Sequence, residues 1–423
     1  VELNARYDGS SRFPKSNRWG FFPSVSGGWI ISQEDFFNVP VMNNLKLRAS
    51  WGTLGNQNIG DYPYQQVIAL GINAPFGVSE VLQPGAAATT VPSTNITWES
   101  TEVINIGADV GLFNNKLTFT ADYYFKETSD ILYNVTASKI LGMTPSVQNA
   151  GTVVNKGLDL SIQHRNVIGD FSYGITANVS YVKNRVKRLA NVEKDIAGGL
   201  FLDYSLKSIY GYVTDGFFNS QEEIDNYAKQ PRTAKPGDLK LVDISGPDGV
   251  PDGVVNADYD RKIIGDQFPN YNFGLNINAS YKQIDFLLNM SGVAGMNRLI
   301  EGYQGNAFYW GSNPQEWMVE GRWTETNHNA TYPRMLVLGG GEQQFYTSTY
   351  RVANASFLRI NDIQLGYTFP STMVHFLGMS NLRVYASIKN LATFHSYLDG
   401  WDPERTSMYP AVRDFVAGIS ITF

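Results

Sequence analysis

The residues best suited to chemistry are acidic and stand in one glycine-rich stretch, residues 243–260. Six oxygen-bearing side chains recur along it: Asp243, Asp248, Asp252, Asn256, Asp258 and Asp260. Hard cations such as Ca²⁺ take about six to eight oxygen ligands, and calcium loops supply them from alternating acidic positions around a glycine. The run Asp252-Gly253 followed by Asn256 matches the centre of that pattern. The stretch therefore predicts a structural calcium site.

The same stretch departs from a standard calcium loop. Asp243 is too far from Asp252, and Val250 occupies the ligand position that follows Asp248. The end of the stretch also carries an extra residue. A solvated acidic turn that only orders its loop is therefore the competing interpretation. In both cases the role is structural and not catalytic.

A second candidate site is aromatic, with rings interspersed among Gly and Asn: Tyr303, Phe308, Tyr309, Trp310, Trp317 and Trp323. Exposed aromatic rings in a loop stack on sugar faces or on a hydrophobic peptide, or anchor a partner protein. The same rings can instead pack into a small core of the loop. The sequence leaves these alternatives open and places partner docking ahead of direct substrate contact.

Sequence patterns of common catalytic sites are absent. The histidines at 164, 328, 375 and 395 are scattered and lack the spacing of zinc proteases. The chain contains no Gly-x-Ser-x-Gly elbow, Walker loop or dinucleotide fingerprint. Cysteine is missing, which excludes disulfides and thiolate metal sites. We therefore expect a protein that is not an enzyme and that carries no cofactor other than the predicted calcium ion.

The composition narrows the protein class further. Lys+Arg 33 against Asp+Glu 39 gives a net charge of −6, which does not predict nucleic-acid binding. No stretch approaches the ~20 consecutive apolar residues of a membrane-spanning helix. The mean hydropathy of −0.22 is still compatible with a membrane barrel, because half of each barrel strand faces water.

The elements that must position these residues are strands, and the terminal one is the clearest. Side chains in a strand alternate between two faces. Residues 415–423 therefore place one apolar row, Phe415, Ala417, Ile419, Ile421 and Phe423, opposite small and polar residues. A final strand with an apolar face and a bare terminal Phe is typical of an outer-membrane β-barrel, whose strands face lipid on one side and the lumen on the other.

The same alternation recurs through the chain. The pair 104–112 and 117–126 forms one hairpin around the turn Phe113–Lys116, where Asn residues tolerate positive φ. Further alternating segments cover residues 171–181, 271–281, 362–369 and 382–389. A large soluble β-sandwich also alternates, but small and amide-bearing residues opposite the apolar face favour a wide, wet lumen. We therefore predict an all-β, transmembrane antiparallel β-barrel.

The predicted connections are of two kinds. Those at Phe113–Lys116, Arg165–Asp170 and Tyr281–Asp285 are short, as periplasmic turns are. Those near residues 53–95, 185–268 and 294–352 are long and rich in Gly, Pro, Asn and aromatic residues, as outer loops are. Ser220-Gln221-Glu222-Glu223 resembles a helix start inside the second long loop.

Several segments together resemble the SusC/RagA family of TonB-dependent outer-membrane transporters of Bacteroidetes. These segments are Asp8–Phe13, Asn17–Ser26 with Gly28-Trp29, Leu45–Gly52, Gly55–Gln57 with Ile59-Gly60, Asn149–Gly157 and Arg322–Thr324. Each is a short motif. Because they are ordered and spread along the chain to the terminal Phe423, the resemblance covers essentially all of it.

The resemblance implies a 22-stranded barrel with an N-terminal plug. Nothing in residues 1–423 resembles the plug, and no initiator Met or signal peptide precedes Val1, so we expect the C-terminal portion of the barrel domain, a fragment or a processed piece with roughly a dozen to sixteen strands. The implied function is import of glycan or peptide fragments in the bacterial outer membrane, together with a SusD-like surface lipoprotein.

The resemblance also implies the other partners: the TonB complex through the plug region, the remaining barrel strands and outer-membrane lipid. Two alternatives stay open. One is a surface-exposed β-rich binding module or adhesin that depends on calcium, and the other is a passive porin.

Overall fold

The computed structural model describes residues 1–133, 140, 142–189, 192–196, 198–337, 345–404 and 409–423. In this part the fold is built from twelve long strands. The chain divides into two compact units. The first consists of Val1–Asn166 and Gly174–Leu206, and the second of Val167–Tyr173 and Lys207–Phe423.

The first unit carries the strands β1 to β6 and most of β7. Their bounds are β1 (Glu2–Gly9), β2 (Trp19–Ile30), β3 (Met42–Asn56), β4 (Glu99–Leu112), β5 (Leu117–Ser129), β6 (Gly151–Ile168) and β7 (Phe171–Leu189). The pairs from β1 to β6 are antiparallel, each strand beside the next. Sequential antiparallel pairing of this kind is the up-and-down pattern that the alternating segments predicted.

The second unit carries the remaining five long strands. Their bounds are β8 (Tyr271–Tyr281), β9 (Ile284–Ala294), β10 (Phe357–Thr368), β11 (Asn381–His395) and β12 (Asp414–Thr422). These strands again pair antiparallel in chain order. The predicted all-β architecture of antiparallel strands is confirmed.

The turn between β4 and β5 shows why the chain reverses where it does. Phe113, Asn114 and Asn115 all have positive φ, at 54°, 57° and 60°. Asn adopts this left-handed conformation more readily than most residues, so the two asparagines favour the turn. The predicted hairpin is confirmed, and its second strand extends to Ser129.

The long strands are generally longer than the alternating segments that revealed them. The alternation at 362–369 and 382–389 marks only part of β10 and β11, whereas β8 has the predicted bounds. Strand β9 was not singled out at all. Its sequence, IDFLLNMSGVA, has consecutive apolar residues that hide the period of two.

Short elements fill the connections. The short strand pairs of the described residues are Ile68–Leu70 with Ala86–Ala88, Ala74–Phe76 with Val81–Gln83, Thr90–Val91 with Thr144–Pro145, Leu132–Tyr133 with Gln148–Asn149, Lys194–Asp195 with Leu200–Phe201, Ser208–Tyr212 with Arg261–Asp266, Thr214–Phe217 with Leu239–Leu241, and Asn297–Leu299 with Val352–Asn354. The α-helices in the same ranges are α1 (Gln221–Asp225), α2 (Glu316–Gly321) and α3 (Ser371–Val374). Single 3₁₀ turns lie at Lys15–Asn17, Ile31–Gln33, Gly302–Gln304, Tyr309–Gly311, Thr349–Arg351 and His375–Leu377.

None of the helices in the described ranges is long and apolar enough to cross a membrane. The predicted helix start is confirmed, because α1 begins after Ser220, whose side chain accepts a hydrogen bond from the Glu223 backbone N–H.

The long connections between strands cover residues 57–98, 190–270 and 295–356. The loops predicted from the sequence were 53–95, 185–268 and 294–352, so the bounds agree to within a few residues. Two more, 130–150 and 396–413, were not singled out. Among the described residues, buried apolar clusters lie in these connections, in the segment between β1 and β2, and in the adjoining strands. One in the first unit contains Phe13, Phe22, Ile59, Ile96 and Trp98. The described parts of these loops therefore pack around apolar cores.

Candidate functional site

The aromatic residues of the loop after β9 divide into two groups. Phe308 and Trp317 pack on a buried cluster of Ala307, Met318 and Tyr332. The Trp317 ring contacts the Tyr332 ring edge-on at 5.4 Å between centroids. This group forms a small core of the loop, which was the competing interpretation of the aromatic run.

Trp323 is also structural. It is buried, and its indole Nε1–H donates to Asn219 Oδ1 at 3.0 Å. Its ring stacks on His328 at 5.7 Å with an angle of 5° between the planes. Trp323 therefore ties its loop to the segment that leads into α1.

The other group lines a pocket. Tyr303, Tyr309 and Trp310 line a cavity of about 530 Å³. Tyr303 and Tyr309 meet edge-on at 4.9 Å, and Tyr309 and Trp310 stack at 6.0 Å. The remaining lining residues are Gln267, Arg298, Leu299, Glu301, Gly302, Gln304, Tyr397 and Trp401. The volume lies in the range of about 300–1,000 Å³ that is usual for small-molecule sites.

Hydrogen bonds of one glutamine fix the aromatic walls. Gln315 Oε1 accepts the indole N–H of Trp401 at 2.8 Å and that of Trp317 at 3.1 Å. Its amide Nε2 donates to the backbone carbonyl of Tyr303. Gln315 thus joins the pocket wall to the loop core and holds rings from two distant segments in place.

The pocket also has polar lining groups. The Tyr397 hydroxyl donates to Gln304 Oε1 at 2.7 Å. Burial raises the pKa of Tyr397, while the nearby Arg298 acts in the opposite direction. The Arg298 Nη2 donates to the Glu404 carbonyl at 2.6 Å, and its buried Nε has no hydrogen-bond partner.

Sequence reasoning missed Arg298, Gln304, Tyr397 and Trp401 as members of this site. Tyr397 and Trp401 lie in the connection between β11 and β12, nearly a hundred residues from the aromatic run. That connection has the same Gly, Pro and aromatic composition as the long loops, which is the signal that could have identified it.

The acidic stretch is a network of hydrogen bonds to the backbone. Asp260 is fully buried; its Oδ1 accepts the N–H groups of Ile244 at 2.7 Å and Ser245 at 3.1 Å, and its Oδ2 accepts that of Asn256 at 2.7 Å. Asp243 Oδ2 accepts the Gly253 N–H at 2.6 Å. These carboxylates therefore already bind the loop's own donors.

The remaining predicted calcium ligands behave differently from one another. Asp252 Oδ1 accepts the Val254 N–H at 3.0 Å, and Asn256 Oδ1 accepts the N–H groups of Asp258 and Tyr259. Asp248 is exposed. Over the described residues, no three His, Cys, Asp or Glu side chains converge as a metal site would require. Calcium binding by this loop stays a prediction.

The terminal strand β12 presents its apolar row to the surroundings. Ile419 is 68% exposed and Phe423 is 85% exposed, and Phe415 and Ile421 are exposed as well. Rows of exposed aromatic and branched apolar side chains would destabilise a protein in water, but they suit contact with lipid.

On the polar face, ion pairs join strands across a glycine. Arg48 on β3 binds Asp109 on β4 at 2.8 Å and Asp122 on β5 at 2.9 Å. In the second unit Arg383 on β11 binds Asp285 on β9 at 2.5 Å. A polar face with paired charges beside an apolar exposed face is the arrangement of a barrel wall.

Comparisons with known proteins agree with this architecture. Residues 1–246 match the family described as TonB dependent receptor-like, beta-barrel. A TonB-dependent receptor of Formosa agariphila is 30% identical over 457 residues, which cover 100% of this chain and 44% of the relative. The TonB-dependent receptor SusC of Bacteroides thetaiotaomicron is 30% identical over 99% of this chain and 41% of its own length.

The structure of the RagAB peptide transporter is similar to this chain with a TM-score of 0.81 and 25% sequence identity, over 100% of this chain and 45% of that chain. This chain spans less than half the length of the curated relatives it matches. These relatives are named as receptors and transporters rather than as enzymes.

Proposed function

Since the chain belongs to the β-barrel family of TonB-dependent receptors, in its SusC/RagA branch, we propose that it forms part of the wall of an importer in the bacterial outer membrane. The observation that carries the proposal is the likeness to RagAB over the full chain, with a TM-score of 0.81.

The proposed cargo is a glycan or peptide fragment, taken up together with a SusD-like surface lipoprotein that closes over the mouth of the barrel. Two names support this range of substrates and partners. One relative is named SusC. The similar structure is named as the RagAB peptide transporter, and its name joins two components, A and B.

The wall itself has a passive, mechanical role in this scheme. Its apolar row faces lipid, and its polar row of Ser, Thr, Asn and paired charges lines the path of the solute. Ion pairs such as Arg48–Asp122 stiffen neighbouring strands without leaving an unpaired charge on that path. The energy for release would come from the TonB complex acting on a plug, and the loops would hold the solute until then.

The proposal is tested by uptake in cells that lack the gene for this protein. Labelled oligosaccharides and a labelled tryptic digest of casein serve as probes. We expect uptake of at least one probe to be lost on deletion, restored by the gene, and lost again when TonB is absent. Normal uptake without TonB would instead favour a passive porin and would overturn the TonB-dependent mechanism.

Extraction from membranes separates the importer from the soluble alternative. A barrel protein requires detergent and migrates differently in a gel before and after heating. Recovery of this protein in the aqueous phase without detergent would contradict the importer and favour a surface binding module. Copurification with a lipoprotein of SusD-like sequence would support the proposed partner, and its absence from intact membranes would argue against it.

A further inference from the structure

The lining of the pocket described above is both aromatic and polar. Five of its lining side chains are aromatic: Tyr303, Tyr309, Trp310, Tyr397 and Trp401. Its polar lining is Gln267, Arg298, Glu301 and Gln304, and Leu299 adds an aliphatic side chain. A ligand that fits must therefore offer both an apolar surface and hydrogen-bonding groups.

The backbone holds one of these rings in an unusual position. Phe308 and Trp310 have φ of 56° and 51°, in the left-handed region that bulky residues avoid. Trp310 is nevertheless 84% exposed, so burial of its ring does not compensate for this conformation. Strained residues of this kind concentrate at functional sites. The large exposed indole at the pocket is thus an independent sign of ligand contact.

The polar lining offers both donors and acceptors. Arg298 lines the pocket, and its guanidinium carries several N–H donors, one of which, on Nη2, is held by the Glu404 carbonyl. Glu301 is exposed and supplies a carboxylate acceptor beside it. Gln304 keeps its amide N–H groups as donors, because its Oε1 receives the Tyr397 hydroxyl.

A pyranose ring has this mixed character. Its C–H face stacks on an aromatic ring, and its ring of hydroxyls both donates and accepts hydrogen bonds. An apolar peptide side chain would contact the aromatic rings but would offer no hydrogen-bond partner to Arg298, Glu301 and Gln304. The polar groups are of both charge signs, which suits neutral hydroxyls better than a strongly charged ligand.

We propose that this pocket is a subsite for one pyranose ring of an oligosaccharide, with Trp310 as the stacking platform and Arg298 and Glu301 as partners of the hydroxyls. The subsite rests on the proposed importer for its biological role, since it would hold a sugar before passage through the barrel. Binding itself can be measured without transport.

The test is isothermal titration calorimetry on the intact protein in detergent. The probes are maltohexaose, cellohexaose, mannohexaose and xylohexaose, with a tryptic digest of casein as the peptide probe. Trp310→Ala removes the platform, Trp310→Phe keeps an aromatic face, and Phe376→Ala is the matched control, because Phe376 is an exposed aromatic outside the pocket. Both positions are exposed, so the three variants should fold.

We expect at least one hexasaccharide to bind. Trp310→Ala should weaken it by up to about tenfold, in line with the contribution of one aromatic contact. Trp310→Phe should recover part of the affinity, and Phe376→Ala should leave it unchanged. Three results would overturn the subsite: no hexasaccharide binds, binding ignores Trp310→Ala, or only peptides bind in a way that depends on Trp310.

These results are distinguishable from failure of the proposed function. Sugar binding that depends on Trp310, in a protein whose deletion leaves uptake intact, would refute the importer and leave the subsite standing. Uptake that requires TonB but does not respond to Trp310→Ala, together with unchanged sugar affinity, would refute the subsite alone.

Discussion

Arg48 binds Asp122 across an intervening strand, and the residue that lies beneath the guanidinium is Gly107. The Nη1 of Arg48 on β3 is 2.9 Å from Oδ1 of Asp122 on β5, and Gly107 on β4 is paired in register with both residues. In the second unit Arg383 reaches Asp285 over Gly366 by a diagonal route, because Gly366 is in register with Asp285 and with Tyr385, two residues beyond Arg383. The glycine leaves the space through which the arginine passes.

Gly107→Ala and Gly366→Ala should therefore both destabilise the wall. A Cβ on Gly107 would lie 2.3 Å from Asp122 Oδ1, and one on Gly366 would lie 2.5 Å from Arg383 Nη2. We expect a loss of about 1–3 kcal/mol in unfolding free energy, as for other overpacked sites. This loss is measured by urea unfolding, with the heat-modifiable gel mobility of the protein as the readout of folding. Gly27→Ala on β2 is the control, since its Cβ would meet no atom within 4 Å. Equal stability of all three variants would contradict the crossing.

Arg48→Gln should lower the free energy of unfolding by more than the loss of an exposed ion pair does. It leaves Asp109 and Asp122 close together and without their shared cation. We expect a cost on the order of 1–3 kcal/mol, partly recovered when both aspartates are also changed to Asn. Arg6→Gln is the comparison, because the Arg6–Asp8 pair is mostly exposed and should be worth under about 1 kcal/mol. Additive effects in the triple variant would disprove the coupling.

Two neighbouring residues of β12 should differ in how strongly an asparagine substitution destabilises the protein. Ile419→Asn puts an amide on the exposed apolar row, where lipid offers no hydrogen bonds, and should cost about 1–3 kcal/mol. Ser420→Asn lies on the other face and should be nearly neutral. Yield of folded protein in the outer membrane and the urea midpoint report both effects. A larger loss for Ser420→Asn would mean that the two faces are assigned the wrong way round.

The N-terminus of helix α1 should become less stable at acidic pH. Partial burial alone would raise the pKa of Glu223, but hydrogen bonds from the Lys240 ammonium at 2.6 Å and the Asn219 N–H at 2.7 Å outweigh it, so the pKa lies below its ordinary 4.5. A lowered folded-state pKa contributes stability above the unfolded value, and this stability is lost as the pH falls through the folded value.

We therefore expect hydrogen exchange in residues 219–227 to accelerate as the pH drops below about 4.5, after correction for the intrinsic exchange rate. Glu223→Gln should exchange faster at neutral pH and lose most of this pH dependence. Glu222→Gln is the matched control, because Glu222 is an exposed neighbour. If Glu223→Gln kept the full acid response, another group would have to be responsible.

Asp260→Asn should open the acidic loop, because an amide nitrogen would replace one of the oxygens that accept the backbone donors of Ile244, Ser245 and Asn256. We expect faster proteolysis within residues 243–260. Asp248→Asn, at an exposed position, should have no effect in calcium-free buffer. Unchanged proteolysis of the Asp260 variant would show that the hydrogen bonds do not hold the loop.

Calcium enters the same assay as a separate arm. If the predicted site forms, added Ca²⁺ should slow proteolysis of the wild-type loop and EDTA should reverse this, and Asp248→Asn or Asp252→Asn should reduce the effect. Identical proteolysis of the wild-type loop with Ca²⁺ and with EDTA would contradict the calcium prediction.

The strand architecture and the two faces of each strand follow from local patterns in the amino-acid sequence. The period of two in segments such as residues 271–281 is a local property of the backbone, and the apolar row of β12 follows from it directly. Turn chemistry is equally local, as Asn114 and Asn115 show. Ser220 and Glu223 marked the start of α1 for the same reason. Strand β9 was not predicted, because consecutive apolar residues obscure its alternation.

Which of the aromatic and charged residues contact one another depends on the three-dimensional packing of loops and strands. Trp310 and Trp323 look alike in sequence, yet one lines the pocket and the other is buried against Asn219. The pocket needs Trp401, whose indole is held by Gln315 although the two residues are 86 positions apart in the sequence. Likewise, Arg48 contacts Asp122 only because three strands pair side by side. Such contacts depend on which loops and strands become neighbours, and no local pattern in the chain encodes that.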